Sequence, residues 1–364
     1  MSEGIAFALT FALSFGAALI LTPAAIALGL RLGVVAVPGG RRQHKGHISK
    51  LGALPIFVGF ALTILVVQAL PIPRFDPKEV IRLVGLLAGG VVIFAVGLLD
   101  DIYDLSPLKQ AVGQIAAAGI AIFFQIFIEM VNNPLTGSQT DSWPYLVTVV
   151  LTMAWLGVSM NTVNFMDGLD GLATGVGFIA STVLFIHSAF ILNPAQTSVS
   201  LLPLALMGTT LGYLLYNFFP AKIFLGSGAV MLGYWLGCLS IIGGAKMATI
   251  LMVLGLPLLD FAWQVVNRLR KGRNPLAGDR GHLHFRLHDG GLGQRAIVLT
   301  YYLFCAFFGV LTLILPSSLF KFIALAAMIA LTLLGFALIS RLRQPSADEA
   351  SAVSVRSSNN GGSS

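Results

Sequence analysis

Residues 80–104 read VIRLVGLLAGGVVIFAVGLLDDIYD. Between Arg82 and Asp100 this run carries no charge. A helix of about 20 such residues crosses the roughly 30 Å hydrocarbon core of a bilayer. The run then stops at Asp100, Asp101 and Asp104. The same theme, an apolar span ending in patterned polar residues, recurs along the chain. On either side of 80–99, comparable runs lie at 4–30, 51–71, 110–131, 144–160, 172–192, 199–219, 229–244, 247–266, 295–315 and 321–340, giving eleven expected spans. Clusters such as Pro71-Ile72-Pro73, Asn132-Asn133-Pro134 and Asn193-Pro194 punctuate them. The pair 229–244 and 247–266 is the most closely spaced, joined only through Gly243-Gly244-Ala245-Lys246. Composition agrees: 56% of residues are hydrophobic and 10% charged, against about 25% charged in an average soluble domain. The expected fold is all-α, a polytopic membrane helix bundle forming one domain over 1–343. The tail 344–364 is too poor in apolar residues to pack and is expected to be disordered.

Orientation follows from Lys and Arg, which accumulate on cytoplasmic loops. Seventeen of the 22 such residues fall on one set of loops and the C-terminal tail. That set is expected to face the cytoplasm, with the N-terminus outside, the C-terminus inside and the chain in the plasma (inner) membrane. The same bias accounts for the pI near 9.6, so nucleic acid is not an expected partner. Cys238 and Cys305 lie inside apolar runs, which excludes a disulfide framework or a cysteine zinc site. The first apolar run follows Met1-Ser2-Glu3, has no basic leader and is too long for a signal peptide core, so it is expected to be a retained span.

The loops on the basic side (31–50, 100–109, 161–171, 220–228 and 267–294) carry more than topology signals. Asp100, Asp101 and Asp104 are clustered carboxylates whose hard oxygens suit magnesium; a solvated, helix-capping loop is an equally good account of them alone. If the segment is helical, Asp100 and Asp104 share a face. Lys109 can hold a phosphate as a point charge or anchor the boundary. In Asn161-Thr162-Val163-Asn164-Phe165-Met166-Asp167-Gly168-Leu169-Asp170-Gly171, polar residues recur at 161, 164, 167 and 170, placing Asn161 and Asn164 on one helical face. A mere connection has no need of two amides and two carboxylates, although Asp170 can cap the next span. Asp279-Arg280-Gly281-His282-Leu283-His284-Phe285-Arg286 alternates histidines with apolar residues between arginines. This suits phosphate and sugar oxygens better than zinc or a lipid surface. Arg41-Arg42-Gln43-His44-Lys45 is ordinary boundary punctuation that can also meet a lipid phosphate. Acidic metal-type and basic phosphate-type groups on one face, beside lipid, suit phosphoryl transfer on a membrane substrate. A secondary transporter is the main rival class; it would place ionisable groups near the bilayer midplane, where His187 is the chief candidate.

At these residues the chain resembles the polyprenyl-phosphate N-acetylhexosaminyl-1-phosphate transferase family, glycosyltransferase family 4, over about residues 30–295. The resemblance rests on Arg41–His44, the Asp-Asp-x-x-Asp run at 100–104 with Lys109, the Asn-x-x-Asn-x-x-Asp-Gly run from Asn161, and Arg280–Arg286. It implies transfer of a sugar 1-phosphate from a UDP-sugar to undecaprenyl phosphate with release of UMP, initiating a cell-envelope glycan. Magnesium is the implied cofactor, with manganese as a substitute. The Arg-Gly-His-x-His-x-Arg form is similar to the branch using UDP-N-acetylglucosamine; the branch that transfers phospho-N-acetylmuramoyl-pentapeptide is the alternative. The implied roles are metal binding by Asn164, Asp100 and Asp101, catalysis by Asp100, Asp101, Asp104 and Lys109, and substrate binding by Arg41, His44, Asn161, Asp167, Asp170, Arg280, His282, His284 and Arg286. A homodimer is left open. The sequence departs from the family pattern at Lys222-Ile223-Phe224-Leu225-Gly226-Ser227-Gly228, where a metal-binding aspartate expected after the first glycine is absent. Phe285 stands where a histidine is common, and Ala36 and Ala53 replace an expected Asp and Gly. The missing aspartate leaves open a family member with impaired turnover.

Overall fold

The computed structural model describes residues 1–36, 46–131, 133, 136, 138–192, 195–243, 247–272, 281–315 and 317–342. The tail 344–364, Arg41, His44 and Arg280 lie outside these residues. The helices are α1 (Glu3–Leu32), α2 (Ala53–Val67), α3 (Glu79–Tyr103), α4 (Pro107–Phe123), α5 (Tyr145–Met166), α6 (Leu172–Ile186), α7 (Thr197–Asn217), α8 (Gly228–Ile242), α9 (Met247–Val253), α10 (Gly255–Arg270), α11 (Leu283–Asp289), α12 (Gln294–Ile314) and α13 (Ser318–Leu342). Seven are long and apolar enough to cross a membrane: α1, α3, α5, α6 with its continuation to Ile191, α7, α12 and α13. The α2 and α8 helices are shorter and apolar. This is an all-α polytopic membrane architecture. Among the described residues, the one departure is a two-residue antiparallel ladder, β1 (Val35–Ala36) with β2 (Ile48–Ser49), extended by a parallel bridge from Ser49 to Ile223.

Several boundaries differ from the apolar runs for local reasons. The run 110–131 is helical only to Phe123; Gln125 adopts a φ of 62°, and Ile128 then donates its N–H to Thr152 Oγ1 at 2.9 Å. The run 172–192 widens into a π turn over His187–Ile191. The segment 247–266 is split at Leu254 into α9 and α10, and α10 ends in Arg268 and Arg270.

Packing places α8 at the centre. Tyr234, Trp235, Leu236 and Cys238 are fully buried, and Trp235 stacks with Phe57 of α2, which stacks with Phe94 of α3. The α1 and α7 helices approach closely because Gly208 and Gly212 carry no side chain. A Cβ at Gly208 would lie 2.0 Å from Ser14 Oγ, and one at Gly212 would lie 2.7 Å from Phe15 O. Large apolar side chains such as Leu62, Leu65, Leu303 and Phe307 point outward, as a lipid-facing surface requires.

The two ends of the bundle are distinct. At one end Glu3 accepts from Thr197 Oγ1 at 2.6 Å, Glu79 from Ser198 Oγ at 2.7 Å, and Arg82 pairs with Asp76 at 2.8 Å. These contacts join the N-termini of α1, α3 and α7. The C-termini of α1, α3 and α7 therefore gather at the other end, where the turn after α5 joins them through Asp170 and the Ala221 N–H.

Candidate active site

Three connections meet at that second end. The first is the end of α3 against the start of α8. Asp101 is 7% exposed. The N–H of Ser227, directly before α8, donates to both Asp101 oxygens at 3.1 and 3.2 Å, and its hydroxyl donates to Asp100 Oδ2 at 2.9 Å. Asp100 Oδ1 accepts from the Leu105 N–H at 2.8 Å and Gln110 Nε2 at 2.9 Å. Gly226 holds a φ of +60°, and a Cβ there would lie 2.7 Å from Asp101 Oδ1 and 2.7 Å from the Lys50 carbonyl, so only glycine fits. Lys50 Nζ donates to the Asp101 carbonyl at 2.9 Å and lies 3.6 Å from Asp104. Asp104 ends α3 with a φ of 50° and an exposed side chain. The helix stops at Tyr103, so Asp104 does not share a face with Asp100. Lys109 is exposed on the first turn of α4.

The second connection is the end of α5. Asn161 donates its amide to Gln114 Oε1 and to the Gly157 carbonyl, both at 2.8 Å, whereas Asn164, one turn on, is partly buried. Asp167 follows the helix. Burial pushes its carboxyl up to about 8, and the nearby charges of Asp170 and Asp101 add to the shift. Asp170 Oδ2 accepts the Ala221 N–H at 3.0 Å, tying this turn to the loop before α8. Asn217 donates to the Ile223 carbonyl at 2.9 Å and accepts from Thr174 at 2.8 Å, which fixes the same loop from α7.

The third is 281–289. His282, immediately before α11, stacks on Phe165 of α5 with centroids 5.2 Å apart and lies parallel to His284. His284 packs so closely on Gly168 that a Cβ there would lie 2.2 Å from its Nε2. Burial, then the neighbouring His282, lowers His284 to about 3, so it acts as a neutral imidazole. Arg286 is partly buried on α11. Asp260 of α10, not among the residues singled out in the sequence, holds His282 Nδ1 at 3.0 Å.

The structure thus brings together Asp100, Asp101, Asn164, Asp167, Asp170, His282 and His284. Among the described residues, no group of three His, Cys, Asp or Glu side chains lies close enough to hold a metal ion. Magnesium is usually bound by one or two protein carboxylates, with substrate phosphates and water completing its shell. The hard oxygens of Asp167, Asn164 and Asp101 fit that pattern, and a cation would offset the mutual repulsion felt by Asp167.

The profile of glycosyl transferase family 4 matches residues 83–244, which contain the α3, α5 and α8 connections. A decaprenyl-phosphate N-acetylglucosaminephosphotransferase of Mycolicibacterium smegmatis is 31% identical over 299 residues, covering 76% of this chain and 74% of that protein. The chain belongs to glycosyl transferase family 4. Other relatives agree. A probable undecaprenyl-phosphate N-acetylglucosaminyl 1-phosphate transferase of Bacillus subtilis is 29% identical over 322 residues, 86% of each chain. An undecaprenyl-phosphate alpha-N-acetylglucosaminyl 1-phosphate transferase of Yersinia pestis is 29% identical over 327 residues, 85% of this chain and 84% of the other. As a member of glycosyl transferase family 4, the protein is a glycosyl-1-phosphate transferase and an integral membrane enzyme. The transporter reading is set aside.

Proposed function

We propose that this enzyme transfers N-acetylglucosamine 1-phosphate from its UDP-sugar to a polyprenyl phosphate, undecaprenyl phosphate foremost, and releases UMP. The observation that carries the proposal is the meeting of the 100–101, 164–170 and 282–284 groups at one end of an apolar bundle, where a lipid phosphate and a soluble nucleotide can both reach. The named substrates of the relatives favour N-acetylglucosamine over a muramoyl-pentapeptide.

In this reading an oxygen of the lipid phosphate attacks the sugar-linked phosphorus. A new P–O bond forms, the bond to the bridging oxygen of the diphosphate breaks, and UMP leaves with that oxygen. A phosphate monoester has a second pKa near 6, so the nucleophile is already mostly ionised at neutral pH and a strong general base is not required. Asp167, Asn164 and Asp101 would hold magnesium, which when bound supplies positive charge against the diphosphate. His282 and His284 contact the nucleotide-sugar, and Lys109 holds a phosphate. The bundle crosses the membrane eleven times, with α9 and α10 forming one broken crossing. Its N-terminus is outside and its site is cytoplasmic, following the basic-residue bias. The test is purified protein with undecaprenyl phosphate, magnesium and a panel of UDP-sugars. UMP should appear with UDP-N-acetylglucosamine; its absence with every sugar would refute the proposal.

A further inference from the structure

Asp260 lies on α10 and is 5% exposed. A carboxylate in such a place carries a large desolvation cost unless both oxygens are used. Both are: Oδ1 accepts the Leu283 N–H at 2.9 Å, and Oδ2 lies 3.0 Å from His282 Nδ1. One side chain thus anchors the first residue of α11 and engages the imidazole just before it. An ionised carboxylate can only accept, so the nitrogen facing it must carry a proton. Nε2 of His282 is then the ring nitrogen left over, buried and without a partner among the described residues. The ring plane is set as well. His282 stacks on Phe165, the neighbour of Asn164, and Phe165 stacks on Phe261 of α10 at 5.4 Å. Gln264, one turn beyond Asp260, donates to the Gly281 carbonyl. The α10 face bearing Asp260, Phe261 and Gln264 therefore holds the histidine segment against α5. Buried polar atoms without partners are few in native structures and call for an explanation; a substrate contact supplies one for this Nε2.

We infer that Asp260 is a positioning residue for the transfer reaction: it keeps a proton on His282 Nδ1 and so dedicates Nε2 to the nucleotide-sugar. The second half of this inference rests on the function proposed above; the first half does not.

The test uses the full chain in bilayers as wild type, Asp260→Asn, Asp260→Ala, His282→Gln and the double variant Asp260→Asn/His282→Gln. Asparagine keeps the shape of aspartate, and its carbonyl can still accept the Leu283 N–H. Its NH2 then faces Nδ1 and requires a lone pair there, which moves the ring proton to Nε2. With ¹⁵N-labelled histidine only six residues contribute signals, and those lost in His282→Gln belong to His282. Nδ1 should be protonated in the wild type and bare in Asp260→Asn. Catalytically, Asp260→Asn should lower kcat/KM for the nucleotide-sugar about 10–100-fold, the usual effect of losing a supporting hydrogen bond behind a functional histidine. KM for the lipid acceptor and the thermal midpoint should not change, while Asp260→Ala lowers both midpoint and turnover. The double variant should be no worse than His282→Gln alone. A bare Nδ1 in the wild type, wild-type turnover in Asp260→Asn, or losses that multiply in the double variant would overturn the inference. If the wild type transfers no sugar phosphate at all, the functional reading fails, and the resonances still decide whether Asp260 sets the ring.

Discussion

Replacing Gly168 with alanine would drive a methyl group into the docked histidine segment. Its Cβ would lie 2.2 Å from His284 Nε2 and 2.7 Å from Phe285 Cζ. Ordinary van der Waals contact begins at 3.4 Å, so His284 would have to retreat by about 1.2 Å. It is 1% exposed, so the packing around it must absorb the shift. Gly168 does not occupy the left-handed region, so alanine adds no backbone strain there and the effect is steric. Overpacking of this kind costs about 1–3 kcal/mol, and a displacement of about 1 Å in a reacting constellation can cost about 10²-fold in rate. We expect Gly168→Ala to lower the thermal midpoint modestly and kcat/KM for the nucleotide-sugar by about two orders of magnitude. Removing the obstructing ring should undo most of the stability loss, leaving only the contact with Phe285: the double variant Gly168→Ala/His284→Ala should lie closer in stability to His284→Ala than Gly168→Ala lies to wild type. The assays are thermal unfolding in detergent and steady-state UMP release. Gly168→Ala with wild-type midpoint and turnover would refute the docking of 281–289 on the 164–171 turn.

The two asparagines should separate. Asn161→Ala leaves Gln114 Oε1 without its donor and should cost about 1–3 kcal/mol of stability, with turnover following the folded fraction; Asn164→Ala should lose turnover while stability stays within about 0.5 kcal/mol. A reversed pattern in paired unfolding and activity measurements would exchange their roles. An aspartate inserted between Gly226 and Ser227 should raise turnover by orders of magnitude and lower the magnesium requirement. An inserted asparagine controls for loop length, and equal rescue by both would assign the effect to spacing rather than charge. Because His284 is held neutral down to about 3 while the unfolded side chain takes a proton below about 6.5, its burial is tolerated above that pH. It costs stability as pH falls toward 3, by about 1 kcal/mol per unit. Midpoints measured from pH 7 to pH 5 should therefore fall more steeply for the wild type than for His284→Gln, and parallel slopes would count against a buried neutral ring.

The membrane class was legible because lipid demands long uncharged runs, and those runs stand out in sequence without help from tertiary structure. The 100–104, 161–170 and 282–286 clusters stood out for the complementary reason: polar residues at span ends are few here, and these are patterned. What stayed hidden depends on contacts between distant segments. Nothing near Asp260 signals that its partner is His282, 22 residues on, although an isolated carboxylate in an apolar run is a fair functional pointer by itself. Lys50 did not stand out, because its hydrogen bond reaches 51 residues along the chain, to Asp101. Spacing alone put Asp104 on the face of Asp100, since a helix stop at Tyr103 is set by a local left-handed turn that an aspartate tolerates. Spacing was equally silent on Ser227, whose N–H reaches Asp101, 126 residues back along the chain, and whose hydroxyl reaches Asp100.

In the proposed reaction the sugar-linked phosphorus moves to lipid. UDP-N-acetylglucosamine labelled at that phosphorus, incubated with the purified protein, magnesium and undecaprenyl phosphate, tests it in one extraction. Label should appear in the organic phase, matched one-for-one by unlabelled UMP in the aqueous phase. Label that stays aqueous while the sugar enters the lipid would contradict it, because the bond broken would then be the one between sugar and phosphate.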